Sequence, residues 1–65
     1  MVKVKLPDGT YMKAQTNADP APDRLFFTEE DARQAILEER SLLIRYGYSE
    51  VARLLAQATI EEARG

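Results

Sequence analysis

The sequence predicts an α+β fold. It is a single small domain in which an N-terminal β-hairpin packs on an antiparallel two-helix hairpin, in the order ββαα. Three observations predict this. Residues 2–6, Val-Lys-Val-Lys-Leu, alternate strictly between apolar and basic, the period of a half-buried strand. Pro7-Asp8-Gly9 follows directly and supplies turn chemistry: a preset φ, a tolerant Asp and a Gly free to go left-handed. From Thr28 onward apolar residues recur at helical spacing, with a single glycine interruption at Gly47 before the C-terminal Gly65.

The hairpin is expected over residues 2–14. A three-residue loop sets Leu6 opposite Thr10, Val4 opposite Met12 and Val2 opposite Ala14. One face is then Val2, Val4, Leu6, Thr10, Met12 and Ala14, to be buried on the helices. The other carries Lys3, Lys5, Tyr11 and Lys13. Residues 15–27 read as a loop, because Pro20 and Pro22 can continue neither a helix nor a central strand. Within it, residues 24–27 can form a short extended piece.

The first helix is expected over residues 28–46. Thr28 is a good N-cap, and Glu29, Glu30 and Asp31 place negative charge in the first turn, where the helix dipole favours it. Phe27, just before the cap, is positioned to staple onto Ala32. Gly47 is the stop, with Tyr48 set to reach back to Leu43. Ser49 then reads as the cap of a second helix, expected to run over residues 49–63.

Both helices carry more than one apolar face. The first has a main face of Ala32, Ala35, Ile36, Leu42, Leu43 and Tyr46, with Leu37 and Ile44 standing well away from it. The second has Val51, Leu54, Leu55 and Ala58, backed by the small residues Ala52, Ala56, Thr59 and Ala63. Glu39 falls within the first helix's main face, where a carboxylate must reach water or find a partner such as Arg53.

Composition narrows the function. The chain has 65 residues, no Cys, no His and a formal net charge of -2. Disulfides and imidazole or thiolate metal sites are ruled out, and no cofactor motif is present. Without His, the usual nucleophile–base pairs are missing. A chain this short leaves little room for a substrate cleft, so no enzymatic activity is expected. The absence of Cys and of a long apolar run gives the expectation of a cytoplasmic protein with no signal peptide and no membrane association.

A domain of this size is marginal on its own, which directs attention to partners. The expected function is that of a small non-enzymatic protein–protein interaction module: an adaptor, inhibitor or regulatory subunit that works through its apolar helix faces. It is expected to self-associate, as a homodimer or larger homo-oligomer. The candidate interface residues are Leu37, Ile44, Ala52, Ala56 and Ile60, with Arg40 and Arg53 at the rim and Phe26 as a further anchor.

The alternative is a nucleic-acid-binding regulator. Residues 1–16 hold three lysines against one acid, whereas the rest holds six arginines against ten acids. Lys3, Lys5 and Lys13 would meet phosphates while Tyr11 stacks a base. The segment Leu42 to Ala56 superficially resembles the DNA-binding helix-turn-helix through Gly47 and the following Ser49. It departs from that family at Leu43, where a small residue is usual, at Arg53, where an apolar one is usual, and in the shortness of its turn. No functional residue is carried over.

Overall fold

The structure is a computed structural model and describes residues 1–63. It is a small α+β domain with the order β1 (Val2–Lys5), α1 (Glu29–Arg45), α2 (Ser49–Ala56) and β2 (Thr59–Glu62).

The Pro-Asp-Gly hairpin forms in the expected register near its turn. Gly9 is left-handed at φ 90, its N–H donates to the Leu6 carbonyl at 3.0 Å, and the Leu6 N–H donates to the Thr10 carbonyl at 2.7 Å. Lys5 pairs with Tyr11, and the Met12 N–H donates to the Val4 carbonyl at 2.9 Å. Asp8 closes the turn by accepting from both the Thr10 N–H and the Thr10 hydroxyl. Beyond Met12 the expected pairing of Val2 with Ala14 gives way. Ala14 instead donates to the Pro22 carbonyl, and Phe26 takes the place beside Val2 through two backbone bonds of 2.9 and 2.8 Å.

The regular ladder of the sheet lies on the other side of β1. There β2 runs antiparallel to it, with Val4 opposite Ile60 and Lys3 opposite Glu61. The expected second helix over residues 49–63 is therefore corrected. α2 stops at Ala56, where the Gln57 and Ala58 N–H groups close a tighter turn onto the Leu54 and Leu55 carbonyls. The β-branched pair Thr59-Ile60 then opens the strand. Local propensity in this Ala- and Glu-rich stretch favours a helix. Pairing with β1 overrides it by burying Ile60 and setting Glu61 against Lys3.

α1 begins and ends as its sequence dictates. The Thr28 hydroxyl accepts from the Asp31 N–H at 3.1 Å. At the C-terminus Gly47 is left-handed at φ 87. Its N–H donates to the Ile44 carbonyl, and the Tyr48 N–H donates to the Leu43 carbonyl at 2.7 Å, the paired bonds of a Schellman stop. The α2 cap is corrected: Tyr48, not Ser49, holds the cap position, and no side chain bonds there.

The core is small: Val4, Phe26 and Ala32 are buried together, with Val2, Met12, Ala35, Ile36, Ala58 and Ile60 packed against them. α2 buries Ala52 and Leu55. Phe26 is thus a core residue at 6% exposure, and its expected role as an interface anchor is corrected. Phe27 does not staple the helix, because it stands 76% exposed. Phe26 is fixed by its backbone pairing with Val2 and the chain bends at Phe27, so only one of the two phenylalanines reaches the core.

Candidate functional site

The accessible surface is 5000 Å², against about 4,200 Å² expected for a folded chain of this mass. Between Leu42 and Leu54, six large side chains (Leu42, Ile44, Tyr46, Tyr48, Val51 and Leu54) stand 43% to 70% exposed around the turn that joins the helices.

Of two grooves on this surface, the first takes Val51 and Leu54 from that set and the second takes none of the six. The first, about 500 Å³, lies between the hairpin and the helices, with Leu6 and Met12 on one side and Leu43, Val51, Leu54 and Leu55 on the other. The hairpin face was expected to lie on the helices. It meets them only in part, and Val51 and Leu54 are left open. Glu39 sits half-buried in this groove, with Arg24, Lys13 and Asp8 also lining it. Among the described residues Glu39 forms no ion pair with Arg53.

The second groove, about 510 Å³, lies between α1 and β2 and is lined by Ile36, Leu37, Arg40, Leu55, Ala58 and Ile60, with Glu29, Arg33, Ala56 and Thr59. It brings together four of the eight sequence-predicted interface residues: Leu37, Arg40, Ala56 and Ile60. Leu37 is 53% exposed, and Ile44, two turns further along α1, is 57% exposed. Ala52 is buried at 2%, on the helix that packs against α1. A small residue there lets the two backbones approach. Arg53 is exposed and lines neither groove.

Arg40 is the polar feature of the second groove. Its Nε is buried and has no hydrogen-bond partner among the described residues, and the side chain makes no ion pair there. Arg33, one of its neighbours in the groove, is engaged by Glu29 one turn back.

The Lys/Tyr face of the hairpin is internally compensated. Asp23 lies between Lys13 (2.6 Å) and Lys3 (3.8 Å), which relieves the expected repulsion between the two lysines. The Lys13 hydrogen bond holds the Asp23 carboxyl below its ordinary range. The Lys3 ammonium also rests over the Tyr11 ring, 4.0 Å from its centre. The Tyr11 hydroxyl donates to Glu61 at 3.0 Å, which raises the phenol's pKa. Lys5 alone of the three lysines has no acidic partner among the described residues.

Among the described residues no group of three or more acidic side chains is arranged to hold a metal ion, and no helix is long and apolar enough to cross a membrane. No protein-family model matches the chain, and neither a curated protein nor a solved structure matches it.

Sequence reasoning missed the first groove, because it assumed that the hairpin closes on the helices. It also missed the role of β2. One signal for β2 was available: Thr59-Ile60, the β-branched pair in the C-terminal stretch, followed by acids able to face Lys3.

Proposed function

We propose that the protein is a small non-enzymatic protein–protein interaction module, an adaptor, inhibitor or regulatory subunit, that works through its apolar helix faces and associates with copies of itself. The observation that supports this reading best is the set of exposed large apolar side chains from Leu42 to Leu54, of which Val51 and Leu54 line the groove beside the hairpin. Apolar surface gathered in one place marks a contact surface, and Val51 and Leu54 form such a patch with Leu43 and Met12 in the first groove. A nucleic-acid role draws less support, because Asp23 and Glu61 already engage Lys3, Lys13 and Tyr11.

The test is light scattering over a dilution series from roughly 1 mM to 1 µM, together with capture by the tagged chain. Leu37→Lys and Ile44→Lys should weaken association while leaving the melting temperature nearly unchanged, since both side chains are more than half exposed. If the wild-type chain is a fully stable monomer throughout and captures nothing, the reading fails.

A further inference from the structure

The free edge of β2 and the groove beside it identify one occupant. The Ala63 N–H donates to the Met1 carbonyl at 2.8 Å. Ladder alternation from that bond makes Lys3–Glu61 and Lys5–Thr59 the hydrogen-bonded pairs. The backbone groups of Ile60 and Glu62 therefore point away from β1. Their partners Val4 and Val2 behave consistently: both turn outward on the opposite edge, to Met12 and Phe26. Among the described residues nothing pairs with the outer edge of β2. The groove containing Arg40 lies along that strand, and no β1 residue lines it.

Resting on the reading of self-association above, we propose that this edge receives β2 of a second copy, antiparallel, with Ile60 opposite Ile60 across a two-fold axis. The result is a four-stranded sheet. In this register Glu62 of each copy comes opposite Ala58 of the other, on the face that bears the groove. Its carboxylate there meets Arg40, whose buried Nε has no hydrogen-bond partner among the described residues, and symmetry makes this contact twice. Moving the axis by one residue would set Glu61 against Glu61, a like-charge pair that disfavours that alignment. The helices leave room for the contact. Strand spacings of about 4.8 Å put the two β1 strands about 14 Å apart, and helices resting on them clear the usual 8–10 Å (approximate) packing distance. The two Ile60 and two Leu37 side chains lie in the gap between them.

Charge reversal on the full chain tests this, read by sedimentation equilibrium with melting temperature as the folding control. Glu62→Arg changes an exposed residue, so folding is preserved, and the dimer dissociation constant should rise about tenfold or more. Arg40→Glu should do the same, and the double variant should restore association. The Ile60 and Glu62 amides should become protected from hydrogen exchange as the wild type dimerises. If a wild-type dimer forms but is indifferent to Glu62→Arg and weakened by Leu54→Lys, self-association stands and the β2 edge is not the interface. A wild type that stays monomeric at roughly 1 mM overturns the edge contact and self-association together.

Discussion

Phe26 and Phe27 are adjacent, identical in type and opposite in environment, so truncating each to alanine gives two sharply different outcomes. Phe26 is 6% exposed, in one cluster with Val4 and Ala32, and the Arg24 guanidinium lies over its ring at 4.7 Å. Phe26→Ala removes a full aromatic from a cluster whose other buried members are Val4 and Ala32, and it leaves the two backbone bonds to Val2 intact. The expected loss is about 3–5 kcal/mol. A domain of 65 residues has about 3–10 kcal/mol in total. Phe26→Ala should therefore lower the melting temperature by on the order of 15 °C or more, or leave the chain unfolded at room temperature. Phe27→Ala removes a ring already 76% in water and should stay within about 0.5 kcal/mol of wild type. Thermal and urea denaturation followed by circular dichroism measures both. Equal losses, or a larger loss at Phe27, would refute the assignment of one ring to the core and the other to the surface.

Further outcomes follow from the same structure. Thr28→Ala deletes the hydroxyl that accepts from Asp31 N–H and should cost about 1 kcal/mol in urea denaturation. Gly47→Ala meets no steric obstacle, yet forces a side chain onto φ 87; about 1 kcal/mol should be lost, and α1 should fray past Leu43 by amide exchange. Asp23 has a carboxyl pKa lowered in the fold, chiefly by the Lys13 hydrogen bond, so its contribution is complete above the unfolded value near about 4 and fades as pH falls below it. Asp23→Asn should flatten the stability–pH curve in that acid range, which denaturation at pH values between about 2 and 5 would reveal. Tyr11 has the opposite sign: its raised phenol pKa means that the stability from the Glu61 bond is present below about pH 10 and is lost as pH climbs through the folded value.

The parts of the fold readable from the sequence are those whose causes lie within a few residues. Pro7-Asp8-Gly9 fixes the turn, Thr28 starts α1 and Gly47 stops it, and the pairing of Val4 with Met12 follows from the loop length alone. What escaped depends on residues far apart. β2 looks helical by composition and becomes a strand only because β1 offers it an edge. The phenylalanines depart from expectation because Phe26 is held by backbone pairing with Val2, far away in sequence, and the chain bends at Phe27. The candidate site was partly legible for the same reason. Leu37, Arg40, Ala56 and Ile60 do share a groove, yet Ile60 arrives there on a strand and not on the helix that the spacing suggested.

The bond from Ala63 N–H to the Met1 carbonyl ties the opening and closing residues of the described chain together. β1 and β2 pair across almost the whole of the described sequence, so their ladder closes one long loop, a slow step in folding. Until that loop closes, Val4 and Phe26 lack the cover of Ile60. The same adjacency suits residues 1–63 to circular permutation, with Met1 and Ala63 bridged by a short linker and a new opening in the exposed stretch 16–19.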